Sequence, residues 1–199
     1  MQKEKLINNG CKACGNSKCR GEEKNLIGEI GIGGKIGKTG NHKRGYILLY
    51  LVGIAVPLLV GLLSAFITKD YMISYEELEK PPLAPAAWIF PVVWTILYIL
   101  MGISSAMIYT KRERFPEAAK SGLTYYLVSL ALNLGWSVVF FNMQASLLAL
   151  GILIILLYCI YKTICEYRRV YPPAAYLQIP YALWVAFAGY LNAGIWLLN

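Results

Sequence analysis

The chain has 199 residues, 57% of them hydrophobic and only 15% charged, with a net charge of +8. A soluble domain of this length carries about 25% charged residues spread over polar faces. Here the charges are segregated: residues 1–45 hold ten Lys/Arg and four acids, and the other 154 residues hold nine Lys/Arg and seven acids. Composition therefore excludes a water-soluble fold for most of the chain. No nucleic-acid partner is expected of it.

Residues 1–45 form a Gly- and Lys-rich tail without the apolar periodicity of a helix or strand, and disorder is the expected state. It is not a secretory signal peptide, because no apolar core precedes Tyr46. Cys11, Cys14 and Cys19 include one C-x-x-C pair, and the single histidine, His42, lies far from it. A structural zinc site needs four ligands, so reduced thiols and a small zinc knuckle are the two readings of this cluster.

Five apolar runs follow: Tyr46–Thr68, Ala86–Tyr109, Ser121–Met143, Ala145–Cys165 and Ala174–Leu198. Each is long enough to cross a hydrocarbon core of about 30 Å as a helix. The predicted fold is an all-α, five-transmembrane-helix bundle spanning residues 46–199. Seventeen Lys/Arg fall on one side of that bundle, in the tail and the second and fourth connections, and two on the other. Positive charge stays cytoplasmic, so the N-terminus is expected inside and a plasma (inner) membrane is favoured. The first connection carries Pro81, Pro82 and Pro85. Its X-Pro bonds disfavour helix, so Lys80–Pro85 is expected to run extended and Pro85 to start the second span.

No Asp, Glu, Lys, Arg or His lies in the middle of a span. Ion-driven pumps and proton relays place such groups there, so the spans offer aromatics, amides and small residues instead. At about 100° per residue, Trp94, Tyr98, Met101 and Ser105 share a stripe on the second span. Asn133, Trp136, Ser137 and Phe140 share one on the third, and Pro180, Trp184, Phe187 and Leu191 one on the fifth. Ala131 and Gly135 lie on the opposite face of the third span, a small-xxx-small pair suited to a partner helix. Trp88 and Trp196 sit near span ends, where tryptophan anchors at headgroup level. Cys159 and Cys165 read as apolar packing residues.

Three blocks carry a family likeness. They are Tyr75–Pro81 with Pro85, Trp88 and Phe90–Tyr98; Ala131–Trp136 with Phe140 and Phe141; and Pro180–Ala188 with Leu191 and Asn192. Together they resemble the TspO/MBR family, the tryptophan-rich sensory proteins of bacteria and the mitochondrial translocator protein, over residues 46–199. The resemblance implies a five-helix bundle, often a homodimer, with a ligand cavity beneath the first loop. It implies porphyrin ligands such as protoporphyrin IX and haem, with no obligatory cofactor, and sterols or benzodiazepine-like drugs in some members. By motif match Tyr75, Trp94, Asn133, Trp136 and Trp184 are implied pocket residues, beside Tyr98, Phe140 and Phe187 from the stripes. If porphyrin is degraded under light, Trp94 and Trp184 are the implied reactive groups.

The chain also departs from the pattern. Ser74 stands where many members have Trp, Leu83 where an aromatic is common, and no Lys or Arg follows Arg169 to complete the sterol motif on the fifth span. His42 in the tail leaves the bundle without an imidazole for haem. The readings that follow are a tetrapyrrole receptor or carrier, a light-dependent porphyrin-degrading enzyme, and a facilitated transporter. If Ala131 and Gly135 face a partner protomer, Gly135→Leu should weaken the dimer in cross-linking or light scattering and leave ligand binding intact.

Overall fold

A computed structural model describes residues 39–69 and 78–199 of the chain, with side chains from Arg44 onward. The readings made of Cys11, Cys14, Cys19, the His42 side chain and Tyr75 lie outside the described residues. Regular structure among the described residues is helical throughout. It comprises α1 (Thr39–Thr68), α2 (Ile89–Thr110), α3 (Pro116–Ser137), α4 (Ser146–Val170), a short α5 (Pro172–Tyr176) and α6 (Ile179–Leu198). A π-helical turn, Val138–Asn142, extends α3. Five stretches among these residues are long and apolar enough to cross a membrane. The expected all-helical, five-span architecture is therefore observed.

The boundaries differ from the expected ones for local reasons. The segment after Pro81 is not extended: the Ala84 N–H bonds the Pro81 carbonyl at 3.3 Å, and Leu83 has φ of 70°. This matches a type II turn, with Pro82 presetting the first central residue and Leu83 taking the left-handed position usually given to glycine. Pro85 does not start α2. Two further turn bonds, Ile89 N–H to Ala86 O and Phe90 N–H to Ala87 O, lead into a helix that begins at Ile89. Pro91 then occupies the first turn, where an N–H would have no intrahelical acceptor. At the fourth connection Pro172 holds Tyr171 extended (φ −158°, ψ 103°) and ends α4.

Helix α4 packs along both α3 and α6. Gly122 of α3 makes one such contact possible, since a Cβ there would lie 2.8 Å from the Tyr167 ring of α4. The core contains Met101, Ile108, Leu156, Tyr167, Tyr181 and Ile195, each almost fully buried. A polar pin joins α2 to the segment before α6: the Ser104 hydroxyl donates to the Ala174 carbonyl (2.8 Å), and the Gln178 amide donates to Ser104 Oγ (3.1 Å). In a bilayer core no water is available to these groups, so leaving them unpaired would be costly.

Helix α1 is attached differently. Its Leu48, Leu51, Leu59, Leu62 and Phe66 point outward, as a lipid-facing helix requires. Its contact with α2 is backbone on backbone. A Cβ on Gly102 would lie 2.5 Å from Ile54 Cα and 2.6 Å from the Gly53 carbonyl oxygen, and one on Gly53 would lie 3.0 Å from the Gly102 oxygen. Pro57, inside α1, has no N–H to return to the Gly53 carbonyl. That oxygen instead faces the Gly102 α-carbon, the geometry of a Cα–H···O contact. Farther along, a Cβ on Gly61 would run into the Tyr98 ring, so there a whole aromatic ring stands between the helices.

Gly102→Ala should therefore lower apparent stability by about 1–3 kcal/mol, the usual cost of overpacking, because the obstructing atoms are backbone. Gly151→Ala, where a Cβ meets nothing within 4 Å, should instead gain about 0.5–1 kcal/mol from helix propensity. Thermal unfolding of the two detergent-solubilised variants checks the contrast.

Candidate functional site

Beyond the Tyr98 ring, α1 and α2 enclose a cavity of about 460 Å³ together with α3. Helix α1 contributes Leu58, Gly61, Ser64 and Thr68 among others, α2 contributes Phe90, Trp94, Thr95 and Tyr98, and the α3 side contributes Trp136, Ser137 and Phe141. The cavity lies at the end of the bundle where α1 finishes and α2 begins, with Lys69 at that end.

The rings on its inner side form one connected group. Trp94 stacks on Tyr98 with centroids 5.5 Å apart and lies 6.4 Å from Trp136. Trp136 stacks on Phe140 (5.5 Å) and meets Phe141 edge-on (6.1 Å). The π-helical turn at Val138–Asn142 explains how one indole touches both phenylalanines. In a π-turn residues five apart align, while entry from the α-helix aligns residues four apart. Asn142 then donates from Nδ2 to the Ile67 carbonyl of α1 at 3.3 Å, tying the turn to the helix across the cavity.

Polar groups fix the wall. The Asn133 amide donates to Tyr98 Oη at 3.0 Å, and both residues are buried. Thr95 donates to Pro91 O (2.7 Å), Thr68 to Ser64 O (2.9 Å) and Ser137 to Asn133 O (3.2 Å). These hydroxyls spend their protons on their own helices and present lone pairs. The Trp136 indole N–H and Asn133 Oδ1 are buried and have no hydrogen-bond partner.

A second void of about 20 Å³ lies deeper, lined by Phe90, Trp136, Phe140, Phe141 and by Leu191 and Asn192 of α6, among others. Both side-chain polar atoms of Asn192 are buried there without a partner. Buried amides are normally paired, so Asn192 is a candidate site residue. The sequence places it in the fifth-span motif without marking it as a site residue. Its signal was a polar amide in an otherwise apolar helix. Phe90 lines both spaces, so it and Trp136 form a partition between them.

The residues named from sequence fall in different places. Trp94, Tyr98 and Trp136 line the main cavity, Phe140 lines the deeper void, and Asn133 stands behind Tyr98 as its hydrogen-bond donor. Trp184 and Phe187 do not join them. They line an outward groove between α2 and α6 with Val93, Ile96, Leu100 and Leu183. Trp184 is linked to the cavity through Phe90, whose ring it meets at 5.9 Å. On α6 the buried residues are Tyr181, Val185, Ala188, Leu191, Asn192 and Ile195, so of the stripe Pro180, Trp184, Phe187 and Leu191 it is Leu191 that is fully buried. Ala131 is exposed and Gly135 faces open space. Trp88 and Trp196 are also largely exposed.

The described part of the first connection is strapped to α6 at Glu79–Pro82. Asn199 accepts from the Glu79 N–H and donates to its carbonyl, and the Tyr190 hydroxyl donates to Pro82 O (2.8 Å). Pro81 seats on Gly194, where a Cβ would lie 2.5 Å from its ring. Among the described residues no group of three or more His, Cys, Asp or Glu is placed to hold a metal ion.

A multi-pass helical membrane protein with an aromatic-walled cavity between its first three spans is the class these observations define. The chain belongs to the TspO/MBR family, whose model matches residues 53–197. It is 40% identical over 154 residues to the tryptophan-rich protein TspO of Chlorobaculum tepidum, covering 77% of this chain and 97% of that protein. It is 37% identical to the translocator protein of Bos taurus (71% and 84% covered). With the tryptophan-rich sensory protein of Cereibacter sphaeroides it shares 30% identity (76% and 90% covered).

The Asn133–Tyr98 bond yields a stability test. Tyr98→Phe leaves the Asn133 amide unpaired in an apolar interior, at a cost of about 1–3 kcal/mol. In a double-mutant cycle with Asn133→Leu, the pair of changes should cost less than the sum of the single ones.

Proposed function

We propose that the protein is a membrane receptor or carrier for tetrapyrroles of the protoporphyrin IX and haem type, working in a sensory or translocator role. One observation carries the reading: a cavity of about 460 Å³ whose inner wall is the joined ring group of Trp94, Tyr98 and Trp136. Cavities of about 300–1,000 Å³ suit small-molecule ligands. Flat apolar rings gain stacking energy on aromatic faces beyond simple burial. Family membership supports the same reading, since relatives bear the names tryptophan-rich sensory protein and translocator protein.

The assembly we propose is a homodimer through α3, supported by the exposed Ala131 and the open space over Gly135. The membrane we propose is a plasma (inner) membrane with the N-terminus cytoplasmic, supported by the seventeen-to-two division of Lys/Arg between the two sides.

Titration of the detergent-purified protein with protoporphyrin IX, read by tryptophan fluorescence in the dark, tests the reading. Saturable quenching is expected. Trp94→Leu should weaken binding about tenfold, the loss of one good stacking contact, while Trp184→Phe, on the outward groove, should leave it unchanged. Absence of saturable quenching would refute tetrapyrrole binding. Repeating the titration under illumination separates carriage, where the porphyrin bands persist, from light-dependent degradation, where they decay and a tryptophan substitution stops the decay.

A further inference from the structure

Among the described residues lining the main cavity, Lys69 is the one cation and no carboxylate stands beside it. Lys69 lines the end of the cavity where α1 finishes, and its Nζ lies 5.0 Å from the Phe66 ring centroid. Among the described residues the ion pair present is Arg169 with Glu166, and no carboxylate pairs with Lys69. The other polar groups around the cavity sharpen the asymmetry. Thr68, Thr95 and Ser137 have already given their hydroxyl protons to backbone carbonyls. Donors left for a ligand include the Lys69 ammonium at the α1 end and the buried Trp136 indole N–H inside. A wholly apolar ligand would satisfy neither, and a cationic one would be repelled by the first.

We infer that the cavity selects a flat apolar ring bearing a carboxylate, with Lys69 binding the carboxylate at the mouth while the ring lies on Trp94 and Trp136. The inference rests on the ring-binding reading above and adds the chemical class of the ligand's polar end. A lysine ammonium forms a charge-assisted hydrogen bond to a carboxylate, and near a membrane interface such a bond is screened less than in bulk water. The α1 end is a suitable position for it, because a lysine there keeps its head at the polar boundary while its stem covers apolar surface. Lys69 is thus a specificity-determining residue, and the aromatic wall supplies affinity common to charged and uncharged rings.

The test compares protoporphyrin IX with its dimethyl ester, which keeps the ring and removes both carboxylates. Binding to full-length protein is read by tryptophan quenching in a neutral maltoside detergent, for the native chain, Lys69→Gln and Lys69→Arg. The native protein should prefer the acid about tenfold, the size of one charge-assisted hydrogen bond. Lys69→Gln should abolish the preference by weakening the acid and sparing the ester, and Lys69→Arg should restore it. Equal binding of acid and ester by the native chain, or a preference that survives Lys69→Gln, would overturn the role of Lys69 and leave ring binding standing. Nanodiscs of phosphatidylcholine with and without phosphatidylglycerol separate the two sources of an anion. A Lys69 effect seen only with phosphatidylglycerol, and equal for both porphyrins, would assign the lysine to a lipid phosphate and overturn the inference. Failure of both porphyrins to bind would remove the ring-binding reading itself, and this inference with it.

Discussion

The backbone contact between Gly53 of α1 and Gly102 of α2 sets the spacing on which the cavity depends. No side chain fits between the helices at that point, so they touch there and nowhere can come closer. Eight residues farther along α1, at Gly61, the Tyr98 ring already stands between them. Beyond it lie the cavity walls. Pro57 falls between the contact and the ring, where a missing N–H lets a helix bend. The two antiparallel helices are therefore pinned near their middles and held apart toward the end where α1 finishes, and the opened wedge is what a ligand can use.

Holding a wedge open in a membrane raises a second problem, because polar groups lining it have neither water nor backbone to bond. The bundle answers it in two ways. Hydroxyls turn back on their own helices, as Thr95 does to Pro91 and Ser137 to Asn133. Asn133 crosses from α3 to α2 and fixes the Tyr98 hydroxyl, so the ring that props the wedge is itself held from behind. Some buried atoms remain unpaired: the Trp136 N–H and the Asn192 amide border the two internal spaces, while Asn133 Oδ1 and the Tyr126, Tyr167 and Tyr181 hydroxyls lie among the helices. Unpaired buried groups are expensive, and a ligand or solvent that reaches them gains what the protein alone forgoes.

The first connection adds a boundary on the far side. Asn199, Tyr190 and Gly194 hold Glu79–Pro82 against α6. The strap is fixed to α6, while the cavity is lined by α1, α2 and the α3 side. Aromatic packing joins the two sides, since Phe90 lines the cavity and also meets Trp184 on the outer groove. The five tryptophans of the chain thus divide between an inner wall, an outer groove and exposed span ends, three environments that composition alone does not distinguish.

Long uncharged runs determined the five helical spans, because a bilayer admits few other structures and penalises unpaired backbone everywhere. The stripe on α3 was equally legible: Asn133, Trp136 and Phe140 are buried and Ala131 is exposed, since one regular helix carries its angular order in its spacing. The α6 stripe was not legible, because hydrophobicity cannot tell a side facing lipid from a side facing protein when both are apolar. Trp184 and Phe187 are half-buried beside an outer groove, and Asn192 is fully buried, for that reason. The glycine crossing, the π-helical turn that brings Phe140 and Phe141 to one indole, and the placing of Lys69 at a cavity mouth also came only with the tertiary structure. Each depends on how far apart two helices stand, and that distance is a property of the pair, which neither helix's own sequence contains.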